Sequence, residues 1–474
     1  MTGKTVLKQI SLAFLSNFSN IAPGMAIGFS AVAIPALRQL TTAQISWFAS
    51  IASLATPLGC LCSGPIADRF GRRNAIRAVN VCALIGWLII GAAFYSPAQQ
   101  YGLLLAGRFV TGVAAGLCGS PASVYMAEVA SVELRSVFTT WVSLFYAIGI
   151  FIVYLLGLIF KDDWGSIALI AAVFPLIGLL FLQLFIPESP PWLVTKQRFE
   201  EARTSMCRLH GTRTYTEDVQ LEMETLLNNR RVKKEKTQQK TLPQQFVKKL
   251  KMLTRPNFLR PYRLVLAYFF FQQFTGIFAI MYYAIDIVKG AQVALDPHVA
   301  IVAIALVRLA GMVLISFLST RLGRRTLGLA SGVGIALSML ALGSYIVLLK
   351  RGLMAQPLPL VPLALLVFYF FITTIGFYPL PFALASEVYP KNIRGTAAGI
   401  STASTFVFNF VVVKLYPTMV AALGDFGVFY FYGGMGVVGT LFVLVCMPET
   451  KGRTLEEIQA YFVPPGAEPP EAKA

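Results

Sequence analysis

The sequence predicts an all-α membrane protein of twelve transmembrane helices, arranged as two six-helix halves with cytoplasmic linker helices between them. The first observation is composition: 56% of the 474 residues are hydrophobic and only 13% are charged, whereas about a quarter of the residues in a soluble protein are charged. The second observation is the number of long apolar runs. The third is a set of short charged motifs that occurs twice, in the same order, along the chain.

Twelve apolar runs are long enough to cross a hydrocarbon core of about 30 Å as helices. Six lie in the first part of the chain, near 10–33, 44–66, 76–96, 101–127, 137–160 and 166–186. Six more lie in the second part, near 262–288, 299–320, 326–349, 359–386, 397–421 and 428–447. A polar segment rich in Lys and Arg, 190–260, separates the two sets. Its mixed charges predict amphipathic surface helices rather than a separate folded domain.

Most basic residues fall on one side of the predicted membrane. They lie in the N-terminus, in the central segment, in the C-terminus and in the loops after helices two, four, eight and ten. The opposite loops hold only isolated cations, such as Arg38 and Lys161. Because cytoplasmic loops are enriched in Lys and Arg, both termini are predicted to be cytoplasmic, in a multi-pass protein of the cell membrane.

Three charged motifs recur at almost constant spacing. They are Gly-Arg-Arg at 71–73 and 323–325, Glu-x6-Arg beginning at 128 and 387, and Pro-Glu at 187–188 and 448–449. The offsets between the copies, counted from 71 to 323, from 128 to 387 and from 187 to 448, are 252, 259 and 261 residues. An internal repeat of this kind predicts two parallel halves, with the substrate path between them near the membrane midplane.

Several functional classes are disfavoured by the composition. The net charge of +18 does not indicate nucleic-acid binding, because the cations lie in short segments between apolar runs and no nucleic-acid-binding module is visible. The six cysteines fall in apolar segments or in the cytoplasmic segment, which predicts no disulfide framework. His210 and His298 adjoin no cluster of Cys or Asp, so no metal and no cofactor are expected. No acid–base pair or activated nucleophile is visible, so the chain is not predicted to be an enzyme.

Five motifs resemble those of a known family. They are Gly-Pro-Ile-Ala-Asp-Arg-Phe-Gly-Arg-Arg at 64–73, Gly-Arg-Phe-Val-Thr-Gly at 107–112, Pro-Glu-Ser-Pro-Pro-Trp-Leu at 187–193, Gln-Gln-Phe-Thr-Gly at 272–276 and Pro-Glu-Thr-Lys-Gly at 448–452. In these motifs and their spacing the chain resembles the sugar-porter family of the major facilitator superfamily, which includes glucose facilitators and insect facilitated trehalose transporters. The resemblance implies the major facilitator fold. Its expected parts are six-helix bundles at 1–189 and 261–448, a linker at 190–260 and a cytoplasmic tail at 449–474.

The resemblance also implies a conformational latch on the cytoplasmic side, in which carboxylates at helix ends pair with arginines and part when the carrier opens inward. Its predicted members are Asp68, Arg72, Arg73, Arg108, Glu128, Arg135, Glu188, Arg324, Arg325, Glu387, Arg394 and Glu449. The planar guanidinium suits bidentate pairing with a carboxylate. Loop cations that only anchor the topology are the alternative. Thr320 and Pro191 stand where the family pattern has an acid and an arginine, so the second-half latch is expected to be weaker.

A substrate site is predicted around helix seven. Gln272 and Gln273 lie in a Phe-rich helix, where an amide is costly unless it is hydrogen-bonded. A carboxamide has both the donors and the acceptors that sugar hydroxyls require; contacts between helices are the alternative. Tyr282 and Tyr283 match the outer-gate aromatics of the family, or else belong to an interfacial belt. On helix ten, the Gly-Phe-Tyr-Pro-Leu-Pro sequence at 376–381 predicts an interrupted helix lining a cavity.

The resemblance assigns a second group of residues to the substrate site. They are Ser143, Phe278, Arg308, Phe382, Phe406 and Asn409. Ser143 and Phe278 stand where the family has polar residues, and Phe382 and Phe406 stand where it has Trp. Arg308 replaces an asparagine in the middle of an apolar run. A charge there costs at least about 2.5–3.5 kcal/mol. Arg308 is expected either to pair with backbone carbonyls or snorkel along its helix, or to face the cavity and favour an anionic substrate.

These observations predict facilitated transport, by uniport and alternating access, of a sugar such as trehalose or a hexose. The first acidic residue is Asp68, so helix one lacks the carboxylate that proton-coupled relatives place there. Two alternatives remain open: a carrier of a sugar acid or another organic anion that uses Arg308, and a non-transporting nutrient sensor. The expected partners are a small-molecule solute and the lipid bilayer, with no nucleic acid, and the carrier is expected to function as a monomer.

Overall fold

A computed structural model describes residues 3–210, 217–237, 256–291, 293, 295–353, 358, 360–389, 394–451, 453, 457–458 and 461–462. All regular secondary structure in these residues is helical, and three short 3-10 turns occur at Phe18–Asn20, Ile34–Ala36 and Pro97–Gln99. The predicted all-α fold class is confirmed for the described part of the chain.

The helices of the first half follow the predicted apolar runs closely. They are α1 (Gly3–Asn17), α2 (Ile21–Ala33), α3 (Thr42–Phe70), α4 (Arg72–Phe94), α5 (Gln100–Leu117), α6 (Pro121–Val129), α7 (Val132–Phe160) and α8 (Trp164–Leu184). Three linker helices come next: α9 (Pro190–Thr195), α10 (Phe199–His210) and α11 (Glu217–Thr237).

The second half contains shorter helical segments, because two of its predicted crossings are interrupted. Its helices are α12 (Pro256–Phe274), α13 (Ile277–Tyr282), α14 (Ala284–Gly290), α15 (Pro297–Arg321), α16 (Arg324–Lys350), α17 (Val361–Ile375), α18 (Leu380–Glu387) and α19 (Arg394–Cys446). The seventh predicted crossing is therefore divided among α12, α13 and α14, and the tenth between α17 and α18.

Among the described residues, eleven helical stretches are long and apolar enough to cross a membrane. The last of them, Gly395–Cys446, has 52 residues, which at 1.5 Å per residue is about 78 Å of helix and more than twice the thickness of a hydrocarbon core. Gly424 interrupts α19 with a non-helical φ of 71° and ψ of 169°. This stretch therefore holds two crossings, so the chain is a multi-pass membrane protein whose described residues contain the twelve crossings predicted.

The helices form two compact units that do not coincide with the sequence halves. The first unit contains 1–26, 58–149 and 168–247, and the second contains 27–57, 150–167 and 248–474. The division runs through α3 and α7, so parts of the first-half helices pack with the second half of the chain. The bundle boundaries predicted from the repeat remain a prediction.

Glycines allow helix backbones to touch within the first unit. A Cβ added at Gly149 of α7 would lie 2.8 Å from the backbone nitrogen of Met25 and closer still to the carbonyl oxygen of Ile21, both on α2. Gly24 faces the backbone of Tyr146 in the same way. Small residues permit this close approach between helices in a membrane, where van der Waals packing replaces the hydrophobic effect as the driving force.

The linker helices pack together within the first unit. They bury a small apolar cluster formed by Trp192, Leu193, Val194, Ala202, Met206, Val219 and Met223. Helix α10 contributes Ala202, Ser205 and Met206 on its buried side and exposes Glu200 and Glu201. Helix α10 is thus amphipathic, and the description of 190–260 as a cytoplasmic linker with amphipathic helices remains a prediction.

We expect Gly149→Ala to lower the thermal stability of the protein. The added methyl group overlaps the α2 backbone, and overpacking of this kind costs about 1–3 kcal/mol. Gly102→Ala is the control, because a Cβ at Gly102 meets nothing within 4 Å. Melting temperatures in detergent measure the difference, and equal values for the two variants would contradict the close packing of α2 and α7.

Candidate functional site

Helix seven breaks one turn beyond the paired glutamines. Helix α12 ends at Phe274 and α13 begins at Ile277, because Gly276 adopts a left-handed conformation with φ 88°. A Cβ at Gly276 would overlap the ring of Tyr432, so the position requires glycine both for its backbone angle and for space. Because of the break, Gln272 and Gln273 lie in the last turn of α12.

Helix ten breaks as predicted. Helix α17 ends at Ile375, and α18 begins at Leu380 after Gly376 and Pro379. Ser331 of α16 lies against this interruption: its hydroxyl donates to the carbonyl of Ile372 at 2.7 Å and accepts from the N–H of Phe377 at 3.0 Å. One side chain thus satisfies backbone groups on both sides of the break, as a membrane interior requires.

A chain of buried amides connects the two breaks. The Gln272 amide nitrogen donates to the carbonyls of Tyr378 at 2.6 Å and Phe377 at 3.2 Å. Gln273 donates to the Gln272 oxygen at 3.2 Å, and Asn409 of α19 donates to the Gln273 oxygen at 3.0 Å. The structure therefore brings three predicted site residues together and gives them partners on other helices. In this state they connect helices, which is the structural alternative that the sequence leaves open; their contact with substrate remains a prediction.

One acceptor in this chain has no partner. The side-chain oxygen of Asn409 is buried and receives no hydrogen bond from the described residues. A buried acceptor left unpaired costs about 1–3 kcal/mol. A hydroxyl group delivered to this position would therefore be bound favourably.

Aromatic rings line the backbone at the helix-ten break. The ring centroids of Phe278 and Tyr378 lie 6.2 Å apart, and those of Tyr378 and Phe382 lie 6.4 Å apart. Phe382 also packs edge-on against Phe269 at 4.9 Å. Phe406, on α19, is half-buried. Tyr378 is absent from the predicted site, although it stands within the Gly-Phe-Tyr-Pro motif that predicts the break.

Arg308 lies beside these rings, near the middle of α15. The residue is 2% exposed, and its guanidinium carbon lies 5.0 Å from the centroid of the Tyr378 ring. Its Nη1 donates to the sulfur of Met281 at 3.0 Å, while Nε is buried with no partner in the described part of the chain. The predicted pairing with backbone carbonyls is not what the described residues show, and a side chain so fully buried does not snorkel.

The two predicted gate tyrosines, at the C-terminal end of α13, contact other helices of the second unit. The hydroxyl of Tyr282 lies 3.2 Å from the Ser53 hydroxyl on α3. Tyr283 donates to the carbonyl of Val413 at 3.4 Å and stacks on Tyr416 with ring centroids 4.6 Å apart. Both tyrosines are buried, which is not expected of an interfacial belt. Ser143, by contrast, belongs to the first unit and is exposed.

The first unit contains one of two charge clusters built from the repeated motifs. Arg72 donates from Nε and Nη2 to Glu128 at 2.9–3.1 Å and from Nη1 to Asp68 at 3.1 Å. Glu188 accepts from the backbone N–H groups of Arg72 and Arg73, at 2.9 and 3.1 Å. This carboxylate caps the N-terminus of α4, where the helix dipole favours a negative charge.

Three other predicted latch arginines of the first unit donate to backbone carbonyls. Arg73 donates to Leu182, at 3.0 and 2.8 Å. Arg135 donates to Ala130 at 3.5 Å, at the limit of a hydrogen bond. Arg108 is fully buried within α5 and donates to Ala26.

The second unit repeats this cluster. Glu449 accepts from the backbone N–H groups of Arg324 at 2.9 Å and Arg325 at 3.1 Å, at the N-terminus of α16. Arg324 donates from Nη2 to Glu387 at 3.0 Å. Burial alone would raise the pKa of Glu449, but the backbone N–H donors outweigh it and lower that pKa. The side chain of Arg394 lies outside the described part of the chain.

Both motif glycines lie directly beneath a carboxylate. A Cβ at Gly71 would collide with Glu188, and a Cβ at Gly323 would collide with Glu449. Gly71 also has a φ of 104°, whereas Gly323 has an ordinary φ of −68°. In both copies, therefore, the glycine is required because the carboxylate lies against its Cα. These pairs lie within one unit each, and a latch acting between the halves remains a prediction.

We expect the stabilisation from Glu449 to be independent of pH near neutrality and to disappear in acid. A carboxyl group with a lowered pKa contributes fully above its ordinary value of 4.5, and that contribution is lost as pH falls through the folded-state pKa. The melting temperature of the wild type should therefore exceed that of Glu449→Gln by a constant amount from about pH 8 to about pH 5, and by less in stronger acid. The exposed Glu217→Gln is the control. A difference that already shrinks near neutrality would contradict the lowered pKa.

Comparisons with known proteins place this arrangement among transporters. A family model described as "Sugar (and other) transporter" matches residues 12–462. The facilitated trehalose transporter Tret1 of Drosophila grimshawi is 31% identical over 458 residues, which are 95% of this chain and 47% of that protein. Tret1 of Polypedilum vanderplanki is 30% identical over 461 residues, which are 96% of this chain and 88% of that protein. The chain thus spans about half the length of the first relative and most of the second.

Solved structures show the same fold. The xylose transporter XylE from E. coli, in an inward open conformation, matches with a TM-score of 0.77 at 20% sequence identity. The match covers 96% of this chain and 99% of that one. At this level of identity the likeness concerns the fold, and it confirms the predicted major facilitator architecture.

Proposed function

This chain belongs to the sugar (and other) transporter family, and from that premise we propose that it carries a sugar across a membrane by facilitated diffusion. The family is one of transporters, in agreement with the prediction that the chain is not an enzyme. The relatives named facilitated trehalose transporters make trehalose the first solute to test, and a hexose the second.

The observation that supports this proposal most directly is the buried amide chain at the two helix breaks. Gln272, Gln273 and Asn409 offer amide oxygens and nitrogens within hydrogen-bonding reach of one another. The unpaired oxygen of Asn409 is an acceptor that a sugar hydroxyl satisfies. A few such bonds at roughly 1 kcal/mol each suffice for a millimolar affinity of about −4 kcal/mol.

Weak polar contacts within the second unit support the proposal of an outer gate. The Lys414 ammonium lies 3.9 Å from the centroid of the Trp47 ring, and the Ser46 hydroxyl donates to the Lys414 carbonyl at 2.8 Å. Lys161 and Asp296 form an ion pair at 3.6 Å between exposed side chains. Exposed pairs contribute about 0–1 kcal/mol, so a set of them favours one state without locking it. Alternating access depends on such a near-balance.

Facilitated diffusion, rather than proton coupling, is supported by the distribution of acids. Residues 1–67 contain no Asp or Glu, so no carboxylate of the first helix is available to carry a proton. The backbone N–H bonds that lower the pKa of Glu449 keep this carboxylate charged across physiological pH. It therefore acts as a fixed charge of the proposed latch.

The membrane and the orientation are part of the same proposal. We place the protein in the cell membrane with both termini in the cytoplasm, because the basic loops lie on that side. In this orientation the two charge clusters face the cytoplasm and the contact between Lys161 and Asp296 lies outside. The carrier is proposed to work as a monomer, with the substrate path between its halves.

Counterflow in proteoliposomes tests the proposed activity. Vesicles preloaded with unlabelled trehalose or glucose should accumulate the labelled sugar transiently. The unlabelled sugar inside competes with the labelled sugar for exit, so labelled sugar enters faster than it leaves. The accumulation should be unchanged by a protonophore. An absence of counterflow for every neutral sugar, sugar acid and polyol tested, with protein of normal thermal stability, would overturn the proposal.

We expect Gln272→Ala to abolish uptake while surface expression remains normal. The substitution removes the side chain that joins the helix-ten carbonyls to the amide chain, so both the proposed site and its alignment are lost. Gln220→Ala is the matched control, because Gln220 is exposed and its amide donates only to Glu224 among the described residues. Unchanged transport by Gln272→Ala would remove the assignment of the amide chain to the substrate path.

A further inference from the structure

Arg308 is the one charged side chain that is fully buried among the described residues of the second unit. Its guanidinium cannot give up its proton within a protein, so the charge is permanent. A cation near the middle of a crossing costs at least about 2.5–3.5 kcal/mol. Such a charge persists in a membrane protein when a partner or a ligand compensates for it.

The neighbours of Arg308 compensate for it only in part. Its Nη1 donates to the thioether sulfur of Met281 at 3.0 Å, which is a weak acceptor. The Tyr378 ring at 5.0 Å supplies a cation–π contact. Nε is buried and unpaired, and no carboxylate in the described part of the chain lies within 4.0 Å of the guanidinium. The Met281 carbonyl accepts from the Tyr154 hydroxyl at 2.8 Å and is not among the acceptors of Arg308 in the described part of the chain.

Other arginines of this chain have stronger acceptors. Arg72 pairs with Glu128 and Asp68, and Arg324 pairs with Glu387. The other buried arginine, Arg108, donates to the backbone carbonyl of Ala26. Arg308 therefore departs from the way the same protein satisfies guanidinium groups elsewhere. With one sulfur acceptor for five N–H donors, the guanidinium retains donors that can bind an anion in a bidentate manner.

The position of Arg308 joins it to the amide chain. Tyr378, whose ring lies beside the guanidinium, also supplies the carbonyl that accepts from Gln272 at 2.6 Å. The ring of Phe278 lies 6.2 Å from that of Tyr378. A cation, amide groups and aromatic faces thus border one residue. These are the groups that would recognise the carboxylate, the hydroxyls and the apolar ring face of one molecule.

We propose that Arg308 makes this carrier selective for a carbohydrate that bears a carboxylate, with the carboxylate bound to its guanidinium. This inference rests on the proposed function and names the substrate class of the same site. A carboxylate carries one negative charge, which matches the one buried cation among the described residues of the second unit. A phosphate carries about 1.5 to 2 charges at neutral pH and would need a second cation.

A neutral sugar offers the guanidinium hydroxyl acceptors but no negative charge. The carrier must then bear the cost of the unpaired charge throughout the transport cycle. A sugar acid removes that cost on binding, so its binding free energy includes a contribution that glucose or trehalose does not receive. The same charge repels an amino sugar, whose ammonium group would approach the guanidinium.

D-glucuronate, glucose and glucosamine are the probes that test this proposal. In counterflow with the wild-type protein, labelled glucuronate should be transported at least 10-fold faster than glucose at equal concentration, and glucosamine should be excluded. Because a uniporter of an anion moves net charge, glucuronate uptake should respond to a potassium diffusion potential set with valinomycin. Glucose flux should be insensitive to that potential.

Arg308→Gln and Arg308→Lys separate the charge from the guanidinium fork. Arg308→Gln should lower the ratio of glucuronate counterflow to glucose counterflow at least 10-fold, because the substitution removes the charge that binds the carboxylate. Arg308→Lys, which keeps the charge but loses bidentate geometry, should give an intermediate rate. Arg351→Gln removes an exposed arginine and should match the wild type.

Ligand-induced thermal shifts of the wild type provide a readout that needs no variant. Glucuronate should raise the melting temperature more than glucose does at the same concentration. Faster transport of glucose than of glucuronate, or an Arg308→Gln variant that carries glucuronate as well as the wild type does, would overturn the proposal and leave the sugar carrier intact. Failure to transport any carbohydrate would instead overturn the proposed function itself.

Discussion

Hydrogen bonding of the backbone inside the membrane is the constraint on which this structure depends. Lipid offers no partner for a free N–H or carbonyl group, so a helix that breaks within the bilayer needs protein groups to replace its lost bonds. Ser331 and Gln272 supply these bonds at the break of helix ten, each from a different helix. The interruption of helix ten is thus held by polar side chains that include Gln272, a residue that we propose as part of the substrate site.

The amide chain combines contacts between helices with one unpaired acceptor. Gln272 and Gln273 connect helices in the observed state, yet the chain ends in an unpaired oxygen at Asn409. A site whose polar groups are all hydrogen-bonded without ligand gains little free energy from binding. A site with one unpaired acceptor recovers on binding the cost of leaving that acceptor unpaired, about 1–3 kcal/mol. A modest gain of this size suits a carrier, which must release its solute as readily as it takes it up.

The charge clusters follow a different rule, which the two copies of the motif make visible. In each copy a carboxylate caps the N-terminus of a helix and sits on a glycine, Glu188 on Gly71 and Glu449 on Gly323. The backbone N–H groups hold the carboxylate in place, so the neighbouring arginine remains available to pair with a second acid. Arg308 has no such acid among the residues that the structure describes, which is why we propose that the substrate supplies the negative charge.

The sequence by itself determined the fold class, the number of crossings and the positions of the charged motifs, because hydropathy and short repeats depend only on the local order of residues. It also indicated the helix-ten break, since proline and glycine disrupt a helix wherever they lie. Tertiary structure alone decided what Gln272, Ser331 and Arg308 contact. The contacts of a buried side chain depend on the helices that pack against it, and Tyr378, a partner of Gln272, lies 106 residues away along the chain. The sequence therefore predicted a carrier, and only the packing showed which polar groups are left for a solute to satisfy.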